Sequence, residues 1–137
     1  MSNIKHDLAR MENAFQWMQS EFDSTEEFKT QNISILIDKV NLLCNTLPWV
    51  NSQMAIAKKK LNEAKVKAYQ RLNLSSKAQN ETFSPMLAKD YVNALCSEEQ
   101  YAYDVAERCS RTIVHLVDAM RTCISALKTE HETSKYY

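Results

Sequence analysis

Residues 48–71 read PWVNSQMAIAKKKLNEAKVKAYQR, and this stretch decides the fold predicted for the chain. Apolar or small side chains recur in it at alternating steps of four and three residues, the heptad pattern of a helix that packs along a narrow seam. Pro48 suits the first turn of a helix, where its missing N–H costs nothing. The sequence therefore predicts a helix over 48–75. Its seam residues are Val50, Met54, Ala57, Leu61, Ala64 and Ala68.

Two shorter helices are predicted before this one. Apolar residues recur at helical spacing over 3–22, and a second apolar face follows over 25–46. Ser24 followed by Glu27 matches a capping box that opens the second of these helices. Because apolar faces are stable only when they are buried, we expect the two helices to pack against the longer one.

A long C-terminal helix is predicted over 85–130, with Ser84 as N-cap and Pro85 at the first helical position. A break near Ser97 stays open. The stretch 75–82 is predicted to be a loop, and the polar tail 131–137 is expected to fray.

A second apolar stripe widens the C-terminal half of the long C-terminal helix. One neighbouring helix cannot cover both stripes, so we predict a homo-oligomer. The predicted oligomerisation residues are Ile113, Val117, Met120, Ile124 and Leu127.

Together these elements predict a single all-α domain over 1–137. It is a long antiparallel, coiled-coil-like helical hairpin with two shorter N-terminal helices packed as a helical bundle.

The composition of 45% hydrophobic and 25% charged residues is ordinary for such a domain. The 137 residues include no glycine, which excludes the glycine-rich nucleotide-binding loops. No apolar segment has the length of a membrane span, so we expect a cytoplasmic protein without a membrane partner.

Charge is balanced overall, with 17 basic and 17 acidic residues, but it is unevenly distributed. From Pro48 to Lys77, seven basic residues accompany one acidic residue, Glu63. The basic side chains fall outside the seam, where they could follow a phosphate backbone while Trp49 and a tyrosine stack on bases. The alternative is a solvated face whose lysines offset acidic residues of the neighbouring helix. The candidate nucleic-acid-binding residues are Lys58, Lys59, Lys60, Lys65, Lys67, Tyr69 and Arg71.

No catalytic residue, metal site or cofactor is predicted. Arg111, His115 and Asp118 share one helical face, which is typical of a surface ion-pair row, with a pH-sensitive site or a base at His115 as the alternative. The helices contain no Glu-x-x-His motif of the di-iron type. The cysteines form no Cys-x-x-Cys pair and are predicted to be buried free thiols, at Cys44, Cys96, Cys109 and Cys123. We therefore expect a protein that is not an enzyme.

Residues 54–128 resemble the UvsY-type recombination mediators of T-even-like phages and cyanophages in the order of their features. A lysine-rich helix ends near a tyrosine (KKKLNEAKVKAY, 58–69), and a polar linker leads to AKDYV at 88–92 and an apolar-faced helix over 114–128. The resemblance implies an accessory protein that binds single-stranded DNA and helps to load a recombinase onto DNA coated by a single-strand-binding protein. It also implies oligomerisation through the C-terminal helix. The binding roles that it transfers fall on Lys58, Lys60, Lys65, Lys67, Arg71 and, for stacking, Tyr69.

Two functions therefore remain open. The first is an oligomeric, non-enzymatic protein that binds single-stranded nucleic acid through its basic helix. The second is a helical protein–protein interaction module, such as a scaffold, an assembly factor or an inhibitor, that docks on a protein partner and does not bind nucleic acid. Charge reversal on the basic helix discriminates between them, because only the first function depends on those charges.

Overall fold

The computed structural model describes residues 9–14, 16, 33–79 and 82–134, and it is all-α with no strand in these ranges. Its three helices are α1 (Ile33–Gln79), α2 (Pro85–Leu95) and α3 (Ser97–Ser134). Residues 9–14 and 16 are also helical and are called the N-terminal segment below. The predicted capping box at Ser24 and Glu27 lies outside the described residues.

Helix α1 runs through Pro48 as one helix of 47 residues, so the predicted boundary between helices over 25–46 and 48–75 is wrong. An internal proline removes one backbone hydrogen bond and clashes with the carbonyl four residues earlier, at a cost of about 3 kcal/mol. The buried residues Leu43 and Val50 lie on either side of it and are seven residues apart, so the apolar face keeps its heptad phase. Burial of this continuous face against α3 offsets the cost.

Helices α1 and α3 also extend past their predicted ends. Helix α1 continues to Gln79, inside the stretch 75–82 predicted as a loop, and α3 continues to Ser134, inside the predicted tail 131–137. Polar residues extend an existing helix readily, because each added residue contributes a hydrogen bond without a new nucleation cost. Near the end of α3, the Thr133 hydroxyl donates to the Thr129 carbonyl at 2.8 Å.

The start predicted for the C-terminal helix is confirmed, but the helix is divided. The Leu87 N–H donates to Ser84 Oγ at 3.2 Å, and Pro85 occupies the first turn of α2. Cys96, with φ −102° and ψ 18°, separates α2 from α3. Its N–H still donates to the Val92 carbonyl at 3.0 Å, and its carbonyl accepts from the Gln100 N–H at 2.9 Å. The helical conformation is therefore interrupted at Cys96 while these two helical hydrogen bonds are kept.

Helices α1 and α3 pack together and run antiparallel. The Ser110 hydroxyl of α3 donates to Asn51 Oδ1 of α1 at 2.8 Å. Farther along α1, Arg71 lines the same groove as Glu99, which lies near the start of α3. Residue numbers thus rise along α1 as they fall along α3.

Two clusters of buried side chains hold these elements together. The smaller cluster joins α1 to α2 and Cys96, and it consists of Leu61, Ala68, Val92 and Cys96, with Ala64 and Tyr103 packed against it. The larger cluster lies between α1 and α3 and includes Met11 of the N-terminal segment, which is 2% exposed. Its other buried members are Leu36, Val40, Leu43, Val50, Ala106, Cys109, Ile113, Val117 and Met120.

Candidate nucleic-acid interface

All seven residues predicted to bind nucleic acid lie on α1, but they do not form one stripe. Each residue of an α-helix advances by about 100°, so positions can be placed relative to the buried Leu61. One row lies about 40–80° to one side of Leu61, and we call it the first row: Lys58, Lys65 and Tyr69. The second row lies about 80–120° to the other side: Lys60, Lys67 and Arg71. Lys59 is on the outer face, about 160° from Leu61.

The side chains of both rows reach solvent. Lys60 and Lys65 are half-buried, and the other five candidate residues, including Lys59, are exposed. Within each row the members are separated by seven and then four residues, or about 10.5 and 6 Å along the helix axis. The two rows flank the seam that α1 packs against α2 and α3, so positive charge borders the helix pair on both sides.

Two acidic side chains of α3 bond within their own helix. Glu107 Oε1 accepts from Arg111 at 2.6 Å, and Asp104 Oδ1 accepts from Gln100 at 3.0 Å. These carboxylates are two of the four counter-charges that the alternative of a solvated face assigns to the lysines of α1, the others being Glu98 and Glu99. Glu99 lines a groove together with Lys67 and Arg71.

A groove opens between the second row and the junction of α2 and α3, with a volume of about 320 Å³. Ala64 and Ala68 of α1 present no atoms beyond Cβ there, so α1 leaves space opposite Cys96, where α2 ends and α3 begins. The residues that line the groove are Ala64, Lys67, Ala68, Arg71, Leu95, Cys96 and Glu99.

The electrostatics of this groove are mixed. Burial raises the pKa of the Cys96 thiol, the nearby Glu99 carboxylate raises it further, and Lys65 lowers it. The Cys96 thiol thus lies near a negative charge of α3, on Glu99, and a positive charge of α1, on Lys65. A ligand in the groove would meet two cationic side chains, Lys67 and Arg71, and one carboxylate.

The two candidate stacking residues, Tyr69 and Trp49, differ in how accessible their rings are. Tyr69 is 44% exposed at the end of the first row, as a stacking residue requires. Trp49 has the guanidinium of Arg10 over its ring, with the carbon Cζ 4.9 Å from the ring centroid. This cation–π contact ties the N-terminal segment to α1 and uses a ring face that was predicted to be free for bases.

Three of the five predicted oligomerisation residues lie inside the chain's own core. Ile113 and Met120 are completely buried and Val117 is 8% exposed, all within the larger cluster. Ile124 and Leu127 are half-buried and pack against it. The second apolar stripe is covered because α1 and the N-terminal segment already supply the neighbours that it calls for. These residues therefore contribute to the chain's own core.

The cysteines follow the predicted pattern in part, because Cys96 and Cys109 are buried, Cys123 is half-buried and Cys44 is exposed. All four are free thiols. Among the residues that the structure describes, no cluster of three histidine, cysteine, aspartate or glutamate side chains is placed to hold a metal ion. Within those ranges, no helix is both long enough and apolar enough to cross a membrane.

Comparison of the chain with protein-family models, with curated proteins and with solved structures found no match. Sequence reasoning missed the groove and two of its residues, Leu95 and Glu99. A signal was present, because Ser97 followed by Glu98 and Glu99 is typical of a helix start, and a helix start there interrupts the helix at Cys96.

Proposed function

We propose that this protein binds single-stranded nucleic acid through α1 and that it acts as a non-enzymatic, oligomeric helical protein. The observation that carries the proposal is the placement of the two rows, with Lys58 and Lys65 on one flank of α1 and Lys60, Lys67 and Arg71 on the other. A strand with flexible phosphates can follow charges at such spacing, and Tyr69 offers a ring to an unpaired base.

The finer architecture belongs to the same proposal. We infer a coiled-coil-like hairpin of α1 with α2 and α3, on which the N-terminal segment packs as part of a helical bundle. The burial of Met11 in the larger cluster supports this packing. A role as a recombination mediator, which the resemblance to UvsY-type proteins implies, adds loading of a recombinase onto strands coated by a single-strand-binding protein.

Fluorescence anisotropy of a labelled single-stranded oligonucleotide between about 50 and 200 mM salt tests the proposal. We expect affinity to fall steeply with salt and to be higher for single strands than for duplex. In the double variant Lys60→Gln/Lys67→Gln, two phosphate contacts are lost. The slope of log K against log salt should then become shallower by about 1.4, since each contact on a single strand contributes about 0.7.

The matched control is the double variant Arg121→Gln/Lys128→Gln, which removes the same charge from exposed positions of α3 far from the two rows. It should retain the wild-type slope. Circular dichroism confirms that both variants keep their helical content. Absence of binding at the lowest salt, or an equal loss of slope in the control, would refute the proposal.

A protein–protein interaction module is the second candidate, and exposed apolar side chains near the turn between α1 and α2 favour it. Leu74 is 70% exposed, Met86 76% and Leu87 53%. Apolar groups concentrated at one place on a surface mark contact sites for other proteins. Under this function, Lys60→Gln/Lys67→Gln leaves partner binding intact, whereas Leu74→Ser/Leu87→Ser abolishes it.

A further inference from the structure

The groove beside Cys96 has the dimensions and the lining of a small ligand site. Its volume of about 320 Å³ is at the lower end of the range for small-molecule sites, about 300–1,000 Å³. That space accommodates a single nucleotide unit and is too small for a folded protein element. The groove lies between the second row and α3, so a strand that follows Lys67 and Arg71 passes directly over it.

The two walls of the groove differ in chemistry. On the α1 wall, Lys67 and Arg71 are four residues apart and therefore neighbours on the helix surface. On the opposite wall, Leu95 is 43% exposed and offers an apolar surface, while the half-buried Glu99 offers carboxylate oxygens. Cations on one wall, with an apolar surface and a hydrogen-bond acceptor on the other, match the phosphate, the base face and the base edge of one nucleotide.

We infer that this groove receives one unstacked nucleotide of a bound single strand, with its phosphate at Lys67 and Arg71 and its base edge at Glu99. This inference rests on the proposed function, because the rest of the strand is held by the two rows. It adds a base preference, which binding through lysines alone does not provide, since phosphate contacts carry no sequence information.

The carboxylate of Glu99 determines the direction of that preference. An ionised carboxylate only accepts hydrogen bonds, and it pairs with the exocyclic amino group of cytosine. Thymine presents the O4 oxygen at the same position, and its one donor on that edge, N3–H, lies between two carbonyl oxygens that repel a carboxylate. Cytosine should therefore be bound in preference to thymine, although the two bases have similar size and stacking surface.

The test compares labelled oligo(dC) and oligo(dT) of about 20 nucleotides, long enough to span both the rows and the groove. For the wild-type protein we expect oligo(dC) to bind at least about fivefold more tightly, the lower end of what one specific base contact contributes. In Glu99→Gln the amide both donates and accepts, so the ratio of the two affinities should fall close to one. Leu95→Ala should weaken both oligonucleotides and leave the ratio above one.

The matched control for Glu99→Gln is Glu98→Gln, the same change at the adjacent residue, which does not line the groove. It should retain the wild-type ratio. Salt-dependent binding of both oligonucleotides with equal affinity would overturn the groove assignment and leave the proposed function standing. A preference for oligo(dC) that survives Glu99→Gln would also overturn it. Absence of binding to either oligonucleotide would overturn the proposed function itself.

Discussion

Cys44 and Cys109 are chemically identical side chains that the helices place in opposite environments. Cys44 is exposed on α1, whereas Cys109 is completely buried in the larger cluster. Burial raises the pKa of the Cys109 thiol to about 11, because the thiolate cannot be solvated there. Since the thiolate is the reactive species, and only about one Cys109 in a thousand is ionised at pH 8, this thiol should be inert in the folded protein.

We predict that the double variant Cys44→Ser/Cys123→Ser shows no rapid reaction with a thiol reagent such as Ellman's reagent at pH 8. The two remaining cysteines, Cys96 and Cys109, are buried and should react only after denaturant unfolds the chain. The wild-type protein should show a rapid phase from Cys44. Rapid labelling of the double variant under native conditions would contradict the burial of the smaller or the larger cluster.

Pro48 lies in the middle of α1, where it leaves a backbone carbonyl without its usual helical donor. We predict that Pro48→Ala increases the free energy of unfolding by about 1–3 kcal/mol, because alanine restores the hydrogen bond and removes the ring clash. Urea unfolding followed by circular dichroism measures the change. The control Ser52→Ala, one turn further along at an exposed position, should change the stability by about 0.5 kcal/mol or less. A destabilised Pro48→Ala variant would contradict a continuous helix through this position.

The existence of the helices could be predicted from the sequence more readily than their boundaries. The seam from Val50 to Ala68 is a long periodic signal, and the Ser84 cap is a local one, so both were recognised. The predicted boundary at Pro48 is wrong because proline favours a helix start locally, whereas the heptad spacing of the apolar residues on either side of it predicts one continuous helix. That phase continues unchanged from Leu43 to Val50, and burial along the whole length of α1 outweighs one lost hydrogen bond.

The candidate site was predictable only in part. The basic residues of α1 are visible in the sequence as a charge cluster, and helical geometry alone places them around the seam. The groove depends on which residues of α1 lie opposite Cys96, and thus on the register of the antiparallel pair. No local pattern encodes that register, so the placement of Arg71 and Glu99 on the same groove could not be read from either helix separately.

At the scale of the whole molecule, substitution of Ile113 tests whether the second apolar stripe of α3 packs in the core of the monomer or in an interface between copies of the chain. We predict that Ile113→Ala lowers the free energy of unfolding by about 2–5 kcal/mol, the range for removal of a fully buried large side chain. Val114→Ala, the adjacent position with 45% exposure, should cost about 0.5 kcal/mol. Sedimentation velocity completes the measurement. A change in oligomer size with unaltered stability in Ile113→Ala would contradict its position in the core.

The unequal size of the two clusters has a consequence for motion. The larger one unites α1, α3 and the N-terminal segment through many large side chains, whereas the smaller one rests on Leu61, Ala68, Val92 and Cys96. Elements with few buried apolar contacts open at lower free energy than the rest of a protein, and binding regions are drawn from that end. We therefore expect the end of the molecule that carries α2 to open at lower free energy than the larger cluster. Under the proposed function, a strand bound at the second row would lie against the part of the protein that opens most readily.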